Sequence, residues 1–225
     1  MSIVLALAAS VALQGPAAGR DRDMVQESRD DMRRRSARYG QCVVSRQPVK
    51  ALAYVQQGAQ PHARAATVKE AVERIEESNS AAKKLIIGDC LFRSADSASD
   101  VRMTFPGETM RFVLADALFR KDLASRAPLS HLEQVAQINH LAPLNQLGEC
   151  VVRRDPKGSH NLLSTKVLAP EESVALTALK PAMADCLPAK ATVQLNKMLI
   201  RGVVAYNYVL LANAPRGPLT ASVAK

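Results

Sequence analysis

The chain has 225 residues and a formal net charge of +9 at pH 7, with 48% hydrophobic but only 4% aromatic residues and no tryptophan. A hydrophobic core is therefore available, and the composition favours helices packed through small and aliphatic side chains over a β-sandwich. A basic surface attracts nucleic acid, anionic lipid or acidic polymers. Aromatic residues for base stacking are scarce and no nucleic-acid-binding motif is visible, so we expect no nucleic-acid partner.

The first 19 residues have the parts of an export signal. An unbroken apolar run, residues 3–13, is followed by the small residues Ala17, Ala18 and Gly19 and then by the charged Arg20. This order is typical of a cleaved secretory signal, and the run is too short to cross a bilayer, which needs about 20 residues. We therefore predict a signal peptide at residues 1–19 and a periplasmic or secreted location. The alternative is a frayed apolar N-terminal helix.

An internal repeat organises the rest of the chain. Residues 39–48 (YGQCVVSRQP) and 147–156 (LGECVVRRDP) share six of ten positions. Two further matches follow in the same order: GDCL beside ADCL around the later cysteines, and MRFVLA at 110–115 beside IRGVVA at 200–205. We therefore predict two copies of one helical unit of about four helices. They are a first half at residues 20–127 and a second half at 128–213, related by a pseudo-twofold axis and followed by a flexible tail at 214–225.

The four cysteines lie at two matching positions of the repeat, Cys42 with Cys150 and Cys90 with Cys186. An even count in an exported chain predicts disulfides. Duplication of a self-contained unit copies its bond, so we expect the pairs Cys42–Cys90 and Cys150–Cys186. Neither the cysteines nor the histidines have metal-ligand spacing, and we expect no metal or cofactor.

The first half opens with a predicted helix at 23–46. Steps of three and four predict its inner stripe: Val25, Ser28, Met32, Ser36, Tyr39 and Val43. The arginine run at 33–35 is then interpreted as a solvated face with helical charge pairs, with an anion-binding patch as the alternative. Further helices are predicted at 49–57, 81–91 and 108–123.

The second half is predicted to contain helices at 129–141, 144–154, 156–165, 170–186 and 192–213. Pro181 should bend or break the fourth of these. The final helices of both halves have apolar residues over a wide surface, which is typical of helices buried on more than one side. We therefore expect these two helices to pack against each other.

Three pairs of polar residues recur at matching positions. They are Arg46 with Arg154, Asp89 with Asp185, and Arg111 with Arg201. The preferred interpretation is structural, as ion pairs or as helix-end caps. The alternative is that Arg111 and Arg201 line a groove shared by the two halves.

No motif for a reaction is recognised. Glycine-rich phosphate loops, a nucleophile elbow and a zinc-protease motif are missing from the sequence, and we predict no catalytic residue. The Ala- and Arg-rich composition resembles small exported proteins of GC-rich bacteria. We therefore predict a non-catalytic interaction or structural protein of the cell envelope whose partner is a protein or envelope component. The alternatives are a periplasmic binder of an anionic polymer or lipid surface, and an unrecognised enzyme.

Overall fold

Helices dominate the computed structural model, which describes residues 17–58, 80, 85, 88–90, 107–138, 143–187 and 196–215. In these ranges there is no extended β-strand, so the all-α prediction is confirmed. No helix among them is long and apolar enough to cross a membrane. Most of the predicted signal, most of the predicted helix at 81–91 and residues 216–225 of the predicted tail lie outside the described residues.

Three helices of the first half are described. They are α1 (Ala17–Arg46), α2 (Pro48–Gln57) and α3 (Gly107–Leu118), and α3 continues into a π-helical turn at Phe119–Leu123. Proline occupies the first position of α2, where its fixed φ and missing N–H cost nothing. The predicted extent of α2 agrees with the structure to within one residue, and that of α3 does so when the π-helical turn is included.

Five helices are described in the second half: α4 (Pro143–Arg154), α5 (Pro156–Ser164), α6 (Pro170–Ala178), α7 (Lys180–Cys186) and α8 (Lys197–Asn213). The predicted break near Pro181 is confirmed by the division between α6 and α7. The predicted start of the last helix at residue 192 is wrong. The side chain of Asn196 accepts a hydrogen bond from the Leu199 N–H at 2.8 Å and caps α8 there.

The predicted helix at 129–141 is also wrong. Over the part of this segment that is described, only Leu132–Gln134 is helical, as one 3-10 turn. The guanidinium of Arg153 on α4 binds the carbonyl oxygens that a helix would use, those of Leu132, Val135 and Ala136, at 2.7–3.1 Å. Glu149 on the same helix accepts from the Ile138 N–H at 3.0 Å. Residues 132–138 therefore pack on α4 without forming an α-helix.

The inner face of α1 differs from the predicted stripe by one residue. Met32 is 56% exposed, whereas the side chain of Arg33 is only 10% exposed. Arg34 faces solvent and pairs with Asp31 at 3.1 Å. The arginine run is therefore divided between the interior and the surface. The interpretation as a solvated face is correct for Arg34 and wrong for Arg33.

Helix α8 lies at the centre of the fold. Every residue from Arg201 to Leu211 is buried, because α8 packs on α3, α4, α5 and α2. Its longest contact is with α3, which also packs against α1 and α2. The final helices of the two halves therefore pack against each other as predicted.

Each half contains one disulfide. Cys42–Cys90 joins α1 to the helical turn at 88–90, and Cys150–Cys186 joins α4 to α7. Both are the pairs predicted from the duplication. Two disulfides are typical of proteins that mature outside the reducing cytoplasm, and they indicate a non-cytoplasmic protein here.

One ion pair lies beside each disulfide. Arg46 contacts Asp89 at 3.0 Å in the first half, and Arg154 contacts Asp185 at 3.8 Å in the second. All four side chains are largely exposed, and such pairs contribute roughly 0–1 kcal/mol. These four repeated residues therefore form matching local ion pairs.

The glycines of the two repeated decapeptides make matching close contacts. A Cβ on Gly40 of α1 would lie 2.8 Å from the carbonyl oxygen of Val113 on α3. A Cβ on Gly148 of α4 would lie 2.8 Å from the carbonyl oxygen of Val203 on α8. Val113 and Val203 are themselves at matching positions of the repeat. In both halves glycine therefore lets a helix approach the final helix at backbone distance.

Candidate functional site: a cavity between the two halves

A cavity of about 170 Å³ lies between α1, α3 and α8. Each of the first two helices presents one face to it, because residues three and four apart lie on the same side of a helix. These are Arg33, Ser36 and Ala37 of α1, and Thr109, Phe112, Val113 and Asp116 of α3. The second half closes the cavity with Val167 and with residues of α8 and its cap. Both halves therefore build this site.

Most of the lining is apolar. The side chains concerned are Ala37, Phe112, Val113, Val167, Met198 and Leu199. Asn196, which also lines the cavity, is exposed and marks its mouth. The polar groups lie mainly on the walls formed by Arg33, Ser36, Asp116 and Arg201. The cavity is therefore amphipathic.

Arg201 is the central charged residue of the wall and is only 4% exposed. Its Nη1 and Nη2 donate to the carbonyl oxygens of Leu162, Leu163 and Thr165 at 2.9–3.0 Å. These carbonyls are at the C-terminal end of α5, where the last turn has no helical partners and the helix dipole is negative. Arg201 therefore caps α5 from another helix.

The same guanidinium binds carboxylates of both halves. Its Nε donates to Oδ1 of Asp116 at 2.9 Å, and its Nη1 lies 3.3 Å from Oε1 of Glu172. Asp116 is on α3, whereas Glu172 is in the first turn of α6, where the positive end of the helix dipole favours an acid. Arg201 therefore joins the first half to the second.

Glu172 is 1% exposed and uses both of its oxygens. Oε1 and Oε2 each accept from Nη2 of Arg33 at 2.8 Å, and Oε2 also accepts from the Leu168 N–H at 3.0 Å. Because a buried carboxylate without partners is very unfavourable, these bonds are what permit its burial. Arg33 and Glu172 form a second ion pair between the halves.

Arg120 completes the group. Its Nε donates to Oδ2 of Asp116 at 3.2 Å, and its Nη2 donates to the Thr165 carbonyl at 2.8 Å. We call these five side chains the arginine cluster: Arg33, Arg120, Arg201, Asp116 and Glu172. Three cations face two anions, so the cluster has a net charge of +1 in a largely buried environment.

Arg111 and Arg201 occupy matching positions of the repeat, but their environments differ. The Arg111 guanidinium lies over the ring of Tyr54, 5.0 Å from its centroid, in a cation–π contact. Arg201 makes ion pairs, caps α5 and also lines the cavity. Arg111 is not among the residues that line this cavity.

Four cluster members were missed by sequence reasoning: Arg33, Arg120, Asp116 and Glu172. Arg33 was assigned to the surface with its neighbours. Arg120, Asp116 and Glu172 were not singled out. The one available signal was the spacing of Arg33 from Ser36, Gly40 and Val43, which fits an inner stripe as well as Met32 does.

The strongest pKa changes lie elsewhere in the core. Burial raises the pKa of the Tyr206 hydroxyl well above its ordinary value, and burial also raises the pKa of Tyr208. The Tyr208 hydroxyl accepts a hydrogen bond from the Leu129 N–H at 3.0 Å. Neither tyrosine lines the cavity.

Metal-binding groups are not found in the described ranges, where no cluster of three His, Cys, Asp or Glu side chains could hold an ion. No protein-family model, curated protein or solved structure matches this chain. The function is therefore inferred from the contacts of the cavity and of the arginine cluster.

Proposed function

We propose that the protein is an exported, non-catalytic binding protein of the bacterial cell envelope and that its ligand occupies the cavity between the halves. The observation that carries the proposal is the composition of this cavity. Apolar walls from both halves line a space beside a charged cluster. Concave, largely apolar sites with a few convergent polar groups are typical of ligand-binding sites.

Binding is favoured over catalysis because the acids at the site are already engaged. Both oxygens of Asp116 and both oxygens of Glu172 accept hydrogen bonds from arginines of the cluster. A general base needs a lone pair within reach of the substrate. These carboxylates instead stabilise the junction of the halves.

The proposed compartment is the periplasm or the exterior. It rests on the predicted signal at 1–19 and agrees with the two disulfides. A charged cluster that joins the halves and two covalent links within them suit a protein that remains folded outside the cytoplasm.

The proposed origin is duplication of a four-helix unit, with the halves at 20–127 and 128–213 arranged about a pseudo-twofold axis. Matching disulfides, matching Arg–Asp pairs and matching Gly–Val contacts support it. In this arrangement the cavity lies at the junction of the halves. The cavity is not symmetric, because Arg201 lines it and Arg111 does not.

The test is native mass spectrometry of the chain expressed with its own leader in a secreting bacterial host. We expect a mature chain that begins near Arg20, together with a noncovalent mass that is lost on denaturation. The Ala37→Phe variant, which fills the cavity, should lack this mass. Retention of Met1 in cytosolic protein would contradict export, and an equal bound mass on both proteins would contradict the site.

A further inference from the structure

The buried polar groups of the cavity define the chemistry of its ligand. Ser36 is one of the residues that line the cavity, and it is only 2% exposed. Its oxygen has no hydrogen-bond partner among the described residues. A serine inside a helix usually bonds to a carbonyl of the preceding turn. Since buried hydroxyls are nearly always partnered, this one is suited to a ligand atom.

Arg33 is one helical turn away and also faces the cavity. Both of its side-chain hydrogen bonds to described residues start from Nη2 and end on Glu172. A guanidinium has five N–H donors on three nitrogens, so Nε and Nη1 are suited to a second acceptor. Ser36 and Arg33 therefore offer donors on the same face of α1.

The charge of the arginine cluster specifies an anion. Asp116 and Glu172 neutralise two of the three guanidinium groups, and one positive charge remains. A further cation would add to this imbalance, whereas one monoanion would remove it. Because the surroundings are largely apolar, this electrostatic preference is stronger than it would be in water.

The volume of the cavity limits the size of the ligand's apolar part. A protein cavity of about 150 Å³ can hold a benzene ring, and this cavity has about 170 Å³. Phe112, Val113 and Leu199 offer contacts to such a ring or to a short alkyl chain. A long acyl chain or a polysaccharide would extend beyond this volume.

We propose that the cavity between α1, α3 and α8 binds a small amphipathic carboxylate, with its carboxylate on Ser36 and Arg33 and its apolar body against α3 and α8. This inference rests on the proposed binding function and adds the ligand class. A carboxylate is preferred to a phosphate dianion because one positive charge is left to neutralise.

The experiment is calorimetric titration of the disulfide-bonded chain with benzoate and hexanoate. Benzamide, benzylamine and hexanol serve as matched neutral and cationic probes. We expect saturable one-to-one binding of a carboxylate and at least a tenfold weaker affinity for its neutral counterpart. Equal affinity for acid and amide, or preference for the amine, would overturn the ligand class.

Variants locate the site. Ser36→Ala should weaken carboxylate binding about 3- to 10-fold, the loss expected for one hydrogen bond, without changing the fold. Arg33→Met should weaken it further, whereas Arg34→Met removes the same charge from the exposed neighbouring position and should have little effect. If Arg33→Met does not fold, Ser36→Ala alone decides. Unchanged affinity in Ser36→Ala would overturn the proposed contact.

Failure of this inference is distinguishable from failure of the binding function. If the carboxylates do not bind but the secreted protein has a bound mass that Ala37→Phe or Val167→Phe removes, only the ligand class is wrong. If neither the probes nor a native mass depends on the cavity, both proposals are wrong.

Discussion

Phe112 and Gly202 meet where α3 crosses α8. A Cβ on Gly202 would lie 2.7 Å from the Cβ of Phe112, so only glycine fits at this contact. The two residues occupy matching positions in the repeat, since Phe112 follows Arg111 and Gly202 follows Arg201. In an arrangement with twofold symmetry, matching residues contact each other at the axis. A large residue on one helix and the smallest on the other allow close packing there.

Gly202→Ala should therefore destabilise the protein, although alanine is the better helix former. We expect a loss of about 1–3 kcal/mol, the usual effect of overpacking a core. Gly88→Ala is the matched control, because a Cβ at this helical glycine has no heavy atom within 4 Å. It should be neutral or stabilise by about 0.5–1 kcal/mol. Urea unfolding measures both, and a Gly202→Ala protein as stable as the parent would contradict the contact.

Arg201→Met should destabilise the fold by about 3–5 kcal/mol, because Asp116 and Glu172 each lose a charge-assisted hydrogen bond, and such a bond contributes roughly 1.5–3 kcal/mol. The carbonyls at the end of α5 also lose their cap. Arg201→Lys should restore little of the loss, since an ammonium group cannot reproduce the planar fork.

The control for this prediction is Arg154→Met. Arg154 and Asp185 form an ion pair whose side chains are 64% and 62% exposed, and removing it should cost less than about 1 kcal/mol. Equal losses in denaturant unfolding for Arg154→Met and Arg201→Met would show that the arginine cluster has no special role.

Removal of either disulfide should destabilise by roughly 4 kcal/mol on the loop-entropy estimate. The cysteine separations are 48 and 36 residues, so the two effects should be similar. The variants are paired alanine substitutions at Cys42 with Cys90, and at Cys150 with Cys186. Thermal unfolding measures the loss. Peptide mapping without reductant checks the pairing, and a Cys42–Cys150 peptide would contradict it.

High pH should destabilise the protein through its buried tyrosines. Burial raises the pKa of Tyr206 in the folded state, so the unfolded state loses its proton first. The free energy of unfolding should therefore be constant with respect to this group below its ordinary pKa of about 10 and fall as pH rises above it. Tyr206→Phe removes the group.

The measurement is urea unfolding of the parent and Tyr206→Phe between about pH 8 and pH 11. The difference in stability between the two proteins should shift in favour of the variant as pH rises. Comparison at the lower pH isolates the effect of losing the hydroxyl itself. A difference that does not change with pH would show that this tyrosine does not titrate on unfolding.

Local signals in the sequence predicted the helical class, most helix boundaries and the cysteine pairs. Pro48 and Pro156 start helices because proline fixes φ and lacks the N–H that a first turn does not use. The cysteine pairs followed from the repeat, since duplication copies an intramolecular bond. These features depend on residues close in sequence or on the order of the two copies.

Only the tertiary structure decided which face of α1 is inside and why residues 132–138 do not form an α-helix. Neighbouring positions on a helix are 100° apart, so a stripe through Arg33 and one through Met32 are almost equally periodic. The choice is made by Glu172, 139 residues away from Arg33, which supplies the charge that lets this arginine be buried. Arg153 similarly binds the carbonyl oxygens of residues 132, 135 and 136. Long-range partners of polar side chains are not encoded in local periodicity, and they are what assembled the cavity.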